Sequence, residues 1–571
     1  MALNDNYNIG NLPTLDLPRS KFTKNHQHIT TFNVGDLVPI FVDELLPGTT
    51  VTLRTNKLVR LQTLLNPIFS NIYMDTYFFF VPYRLVWSHW QNFMGENTSG
   101  HWYPSVSYQI PLVNSGSGFA AKSSADHFGL PTSVASLDVN ALPLRAYALI
   151  WNEYFRDENL SDPVNIYMGD NTQTASSTDN YINDAYKGIG LLPVAKYRDV
   201  FTTALPAPQK GPMVTLGNQI IGNAGVLTMD ISNSSDVHNS LITTDPLKWS
   251  LGHNTEGKLA PVYSDVNKSA YINPTGSVSI TDSYKTVYPT NLYAVGKNYY
   301  SGIPEVNDIY NGPLRMSVPI NELRLAFATQ KLLERDARYG TRYTEILQGH
   351  FGITSPDARL QRPEFLGGNH FALNIDQVVE TSGTTDSYVL GETGAYSVTA
   401  DSSDDIVGYS ALEHGVIIGL ACCRYEHSYQ QGLDKMWSRT DRLSFYWPEL
   451  SNLGEIGIKN KEIVATADAT DNDSIFGYQE IWYDYRTKRN YVTGEMRSNY
   501  TTSLDSWHLA DDYSEIPTLE HSWILEDGNT VNRVLAVSNN VADQVFADFY
   551  FEYDYVAPIP VYSIPGLIDM R

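Results

Sequence analysis

With 571 residues and 42% hydrophobic content, the chain can bury a sizeable core, which excludes intrinsic disorder, while length alone does not force several domains because all-β domains often run long. A net charge of −24 excludes a protein that grips nucleic acid over its whole surface, so any such contact must be local. Charged residues are 18%, below the roughly 25% usual for soluble domains, and 38 Tyr and 10 Trp accompany them; a polar, weakly charged, aromatic-rich surface suits a chain that packs against copies of itself.

The chain opens with a polar stretch carrying Arg19, Lys21 and Lys24 beside His26 and His28. A lone His-x-His lacks the third and fourth ligands of a metal site, and a polar arm is the better reading. Apolar and polar residues then alternate through 29–34 and 38–42 and close on the turn Leu46-Pro47-Gly48, the pattern of two strands. The β-rich run 71–81 ends at Pro82 and reads as a buried strand, and 84–94 brings Trp87, Trp90 and Met94 to helical spacing. Between Gly217 and Gly312 the texture changes to Asn, Ser, Thr, Gly and Tyr, predicting an insertion that forms a surface excursion. A helix is predicted after Pro319, over 320–339, with Leu323, Phe327, Leu333 and Ala337 as its buried stripe. The stretch 374–411 has seven acids and no Lys or Arg and is predicted as a solvent-facing loop. Strand patterns return at 415–425 and 545–555.

Strands at both ends of the chain with long material between them predict a mainly β protein. Its form is a single eight-stranded jelly roll, a β-sandwich with large loop insertions and a few helices. The expected organisation is 1–216 as the first part of the sandwich with its N-terminal arm, 217–312 as the insertion, and 313–571 as the second part. No apolar run approaches the roughly 18 residues of a membrane span, so no membrane insertion is expected. Cys422 and Cys423 are adjacent, too close for ordinary disulfide geometry, and read as small core residues in an apolar strand.

Catalytic signatures are missing: there is no GxSxG, HExxH or P-loop, and Gly188-Ile189-Gly190 lacks the third glycine of a dinucleotide turn. Asp468, Asp471 and Asp473 lack the glycine and closing glutamate of a calcium loop and read as a solvated turn. An enzyme is therefore not expected. No cofactor is expected either, divalent ions between carboxylates being the one exception left open. One basic pattern is sharper. If the helix continues through Thr341, Arg324, Lys331, Arg335, Arg338 and Arg342 share a face, which suits either DNA phosphates or pairing with acids within or across chains. Together with Arg19, Lys21 and Lys24, these are the candidate nucleic-acid-facing residues.

The blocks 323–338, 340–345, 349–352 and Ser355-Pro-Asp-Ala-Arg-Leu-Gln-Arg-Pro-Glu-Phe-Leu-Gly-Gly368 resemble the most recognisable part of gokushovirus major capsid proteins. So do Phe201-Thr-Thr-Ala-Leu-Pro-Ala-Pro-Gln-Lys-Gly211, the early 75–87 and the closing 560–569, so the resemblance spans the chain. It implies the capsid subunit of a tailless microvirus with a circular single-stranded DNA genome, one jelly roll, and an insertion forming a protrusion at each threefold axis. The expected partners are about 60 copies of the chain in a T=1 icosahedral shell, the DNA genome, a host surface receptor and a small basic DNA-packaging protein. The expected location is the virion, assembled in the host bacterial cytoplasm. The rival readings are a receptor- or carbohydrate-binding sandwich such as a phage fibre head, and a sandwich glycoside hydrolase, which would need two carboxylates about 5–10 Å apart.

Overall fold

The computed structural model describes residues 18–562 apart from short gaps within 99–105, 177–184 and 382–392, and from most of 213–319, where only short strand segments are described. The chain divides into two compact units, residues 1–211 with 333–571, and residues 212–332. In the second, Ile220–Ile221 pairs with Arg315–Met316, Lys248–Trp249 with Ala270–Ile272, and Leu251–His253 with Leu259–Pro261. The insertion expected at 217–312 falls in this range, and most of it lies outside the described residues.

The first unit is built on two antiparallel sheets. Its main strands are β1 (Ser20–Thr23), β2 (His26–Phe32), β3 (Asp36–Leu45), β4 (Thr50–Leu61), β5 (Ile72–Pro82), β6 (Glu364–Ala372), β7 (Thr399–Ser410), β8 (Gly415–Tyr425) and β9 (Val545–Ala557). β1 and β2 meet β9 in one continuous register, Ser20 opposite Ala557 and His26 opposite Phe551, so they act as one strand interrupted at Lys24 and Asn25. One sheet then runs β1/β2–β9–β4–β7 and the other β6–β5–β8–β3, with Leu192–Pro193 added beside β3. First strand pairs with last, second with second-last, and so inward, the order an eight-stranded ribbon takes when it is rolled into a sandwich.

Period-two patterning makes these strands. In β9, Val545, Ala547, Phe549, Phe551, Tyr553, Tyr555 and Ala557 point into the sandwich, and β4 does the same with Val51, Leu53, Thr55, Lys57, Val59 and Leu61. Phe41 of β3 ties the sheets together, its ring 5.1 Å from Phe551, 5.2 Å from Tyr553 and 6.2 Å from Phe78.

β8 differs. Ile417, Ala421, Cys423 and Tyr425 enter the sandwich core, while Val416, Ile418, Leu420 and Cys422 enter a second core on the sheet's outer face. That second core is covered by α1 (Leu142–Ile150), whose Tyr147 hydroxyl donates to the Leu37 carbonyl at 2.6 Å. Burial on both faces explains why β8 reads as an unbroken apolar run, and it places the adjacent free cysteines on opposite sides of one strand. A third cluster, around Phe201, Tyr429, Phe476 and Trp523, packs the hairpin of Glu455–Lys459 and Ile475–Glu480.

Three expectations are corrected. The segment 84–94 is not one helix but a 3₁₀ turn, Tyr83–Leu85, and a single helical turn, Trp90–Phe93, so its residues do not share one helical face; Trp87 and Trp90 are buried while Met94 is exposed. The helix at 320–339 exists as α2 (Ile320–Tyr339), but of the expected stripe Ala337 alone is buried and Phe327 is 67% exposed. The acidic stretch is not a loop: it forms the hairpin of Ile375–Val379 with Thr393–Ser397 and then edge strand β7. Asp376 and Asp404 face solvent, but a bulge after Asp404 turns Asp405 inward, where it is buried.

Replacing Phe41 by Ala should lower the stability of the subunit by about 3–5 kcal/mol in chemical denaturation. The same change at half-exposed Phe445 should cost little, and equal losses at the two positions would contradict this account of the core.

Candidate assembly and nucleic-acid interface

The structure places the eight candidate cations in unequal settings. Lys21 Nζ lies 2.8 Å from Asp554, and Lys24 Nζ lies 2.6 Å from Asp43 and 4.0 Å above the Tyr555 ring. Arg19 reaches the Thr50 hydroxyl at 3.4 Å. Exposed pairs of this kind add little stability, but they satisfy the charge locally.

The premise that placed Arg324, Lys331, Arg335, Arg338 and Arg342 on one helical face does not hold. α2 stops at Tyr339, because Gly340 adopts φ +105°, and a Cβ there would collide with the carboxylates of Glu158 and Glu345. Arg342 instead caps α3 (Tyr343–Phe351): its backbone N–H donates to Glu345 at 3.0 Å. Its guanidinium lies 3.2 Å from Glu345 and 3.6 Å from Glu158 and donates to the carbonyls of Asn152 and Arg156. Arg338 pairs with Glu455, and with Glu480 at 3.4 Å. Arg324, Lys331 and Arg335 are exposed, and no ion pair holds them among the described residues.

Two features escaped the sequence. A cleft of about 560 Å³ outside β5 and β8 is walled by Tyr77, Phe79, Tyr154 and Phe155 and rimmed by Arg198 and Arg342. Two of its cations meet acids: Arg424 Nη2 lies 2.5 Å from Asp75, and Arg198 lies 3.0 Å from Asp157. Seven separate stretches of chain build the cleft, so no local motif announces it.

The second feature is an apolar surface on three 3₁₀ turns, Lys435–Ser438, Arg442–Ser444 and Pro448–Leu450. Trp437 and Leu443 are about 70% exposed, and Phe445, Tyr446, Leu453 and Tyr485 are about half exposed. Arg439 stacks on Tyr485 at 4.4 Å and pairs with Asp484, which rigidifies the patch, and Arg442 covers Trp447 at 4.6 Å. So many large apolar side chains close together mark a protein-contact surface.

Beneath the sheets lies a buried ionic group. His427 Nδ1 is 3.0 Å from Asp511 and Nε2 is 3.2 Å from Glu526, and the Tyr513 hydroxyl donates to Asp511 at 2.7 Å. Burial alone would depress the imidazole pKa, but the two carboxylates outweigh it and raise it to about 9. With His427 and Glu526 both enclosed, the arrangement holds loops together and offers no open site for a substrate.

The described residues contain no cluster of three or more metal-ligating side chains, and no helix among them is long and apolar enough to cross a membrane. Asp473 pairs with Lys459 and Lys461 on the surface, and Asp468 caps a short helix.

An antiparallel sandwich with large apolar side chains left bare on its surface defines a structural protein that associates with other chains. Residues 10–567 match the family model described as capsid protein (F protein), and the chain belongs to that family. It is 38% identical to capsid protein VP1 of Chlamydia phage 1, over 97% of both chains. It is 37% identical to VP1 of Bdellovibrio phage phiMH2K, over 98% of this chain and 97% of the relative, and 36% identical to VP1 of Spiroplasma virus 4, over 96% of each. The resemblance to gokushovirus capsid proteins is borne out. The chain is thus a shell-forming, structural component of a phage virion.

The raised pKa of His427 has a pH consequence. The folded value of about 9 exceeds the ordinary 6.5, so its stabilisation is complete below pH 6.5 and is lost as pH rises through 9. Thermal melting of the unassembled subunit should show a loss of about 3 kcal/mol across that window, absent in His427→Gln. A native profile as flat as the variant's would contradict the imidazolium assignment.

Proposed function

We propose that this chain is the major capsid protein of a tailless phage, with about 60 copies closing into a small icosahedral shell around a circular single-stranded DNA genome. The observation that carries this reading is the exposed apolar surface on Trp437, Leu443, Phe445, Tyr446 and Tyr485, in a chain aligned nearly end to end with capsid proteins. Copies bury this surface against one another. The insertion 217–312 faces outward and engages a receptor on the host surface. Assembly takes place in the host bacterial cytoplasm. The chain takes no cofactor, and divalent cations act only between carboxylates of neighbouring copies. It performs no catalytic turnover.

The DNA-facing cations on this reading are Arg324, Lys331 and Arg335, with Arg19 as a weaker contributor; Lys21, Lys24, Arg338 and Arg342 spend their charge on acids of the same chain. About 60 copies at −24 each carry roughly −1,400 charges, whereas three unpaired cations per copy supply only about 180, far fewer than the phosphates of a genome of several thousand nucleotides. A small, strongly basic partner packaged with the DNA makes up much of the difference.

Electron microscopy of the purified protein should show round shells with a radius on the order of 100 Å. A fibre head would instead stop at a trimer in gel filtration. Leu443→Asp with Phe445→Asp should leave a folded subunit that no longer forms particles; assembly at the native level would remove this surface from the contacts. Replacing 217–312 with a short linker should preserve particles and abolish host adsorption, and retained adsorption would refute the outward role. Mass spectrometry of DNA-filled particles should find a short Lys/Arg-rich polypeptide, and its absence would assign neutralisation to polyamines or metal ions.

A further inference from the structure

The Lys57 side chain is wholly enclosed in the sandwich, and its surroundings are unusual for an ion pair. It stands on β4 opposite Asp401 of β7, with Nζ 3.5 Å from the Asp401 carboxylate and 3.7 Å from Asp405 Oδ1. The Lys57 and Asp405 side chains are both fully buried, while Asp401 keeps 27% exposure at the lip of a surface depression that also touches Lys57. Asp405 reaches this place only through the bulge after Asp404, which gives β7 two consecutive inward residues, Asp405 and Ile406. Gly367 on β6 lies so close to the Asp405 carbonyl that no side chain fits there, which holds the strand in position.

The charges do not balance. One ammonium facing two carboxylates leaves a buried group of net −1, and the neighbours that touch it are neutral: the Ser403 hydroxyl, 2.5 Å from Nζ and 2.7 Å from Asp405 Oδ1; the Asn369 amide, 2.5 Å from Asp401; and the Phe371 ring, 5.5 Å from Nζ. Asp405 Oδ2 is buried and accepts no hydrogen bond among the described residues. A buried carboxylate oxygen with no donor is costly. Burial also pushes the Lys57 ammonium below its usual range, against the opposing pull of Asp405 and Asp401. Transfer of one proton from the Lys57 ammonium to Asp405, 3.7 Å away, turns this buried pair into the amine and carboxyl of an amide condensation.

We propose that Lys57 and Asp405 condense to an intrachain isopeptide bond that staples β4 to β7, with Asp401 as the proton carrier. The lone pair of Nζ attacks Asp405 Cγ. Asp401 takes a proton from the nitrogen and returns it to the departing hydroxyl. One C–N bond forms, one C–O bond breaks and one water leaves through the depression beside Asp401; nothing is oxidised or reduced, and no co-reactant enters. Closing the bond removes the opposed charges of Lys57 and Asp405 and leaves the single negative charge on Asp401, at the lip of the depression. The staple does not depend on the assembly role, since every group belongs to one chain.

Intact-mass spectrometry of the purified, denatured chain reads the outcome directly. The native chain should be lighter by one water than expected from Lys57→Arg after allowing for the substitution, and a protease digest should give a branched peptide joining Lys57 to Asp405. Asp401→Asn, which keeps both reactants, should carry the unlinked mass. A native chain of unlinked mass, with Lys57 free to be acetylated in denaturant, overturns the proposal even if both variants fold poorly. A branch ending at Asp401 overturns the assignment of acceptor and carrier, and complete linkage in Asp401→Asn overturns the carrier.

Discussion

β9 is hydrogen-bonded along both edges, to β1/β2 on one side and to β4 on the other, and it fills the sandwich with Phe549, Phe551 and Tyr553. Residues more than 500 positions apart thereby become neighbours, as where Phe32 stands opposite Val545. Without this strand, β1/β2 has no partner in its sheet, the inner edge of β4 lies open, and Phe41 loses the two aromatic rings it meets across the core. Loop-closure entropy makes such a pairing late in folding, since the ends must meet before their contacts reward them. The sandwich closes only when almost the whole chain has been made.

Once closed, the sandwich is a rigid base on which charge has been settled internally. Lys21, Lys24, Arg338, Arg342, Arg424 and His427 all face acids of the same chain. Acids in excess, apolar surface and a few cations, those of α2 among them, remain exposed. A strongly acidic subunit that paired its cations only across chains would fold as a bare polyanion before assembly; internal pairing makes the free subunit self-sufficient, and leaves apolar contact as the attraction between copies.

Much of this was legible in the sequence, and the exceptions have physical causes. The strands at β3, β5, β8 and β9 and both ends of α2 followed from periodicity and flanking prolines, because these elements have clear faces or long apolar runs. α1 was missed because it is buried nearly all round and shows no stripe. β7 was taken for a loop because an edge strand with a solvated outer face can carry Ser402 and Asp404 at no cost, and a one-residue bulge is invisible in the pattern. Of the candidate site, the cations themselves could be picked out, but their acids could not: Arg338 meets Glu455 across 117 residues, and Lys24 meets an acid on the next strand but one. The 435–450 surface carried a cue in its dense aromatic content, but turns without periodicity do not reveal which side faces out.

β8 forms the common wall of two cores, one lined by Ile417 and Cys423 and the other by Ile418 and Cys422. A strand with one wet face can vary at every second position as its lineage diverges; β8 has no such face. Neutral drift should therefore leave β8 as an unbroken block of constraint flanked by strands that change with a two-residue rhythm. The tandem cysteines would persist within that block as fitted volumes, each held by a different neighbourhood, with no chemistry required of either thiol.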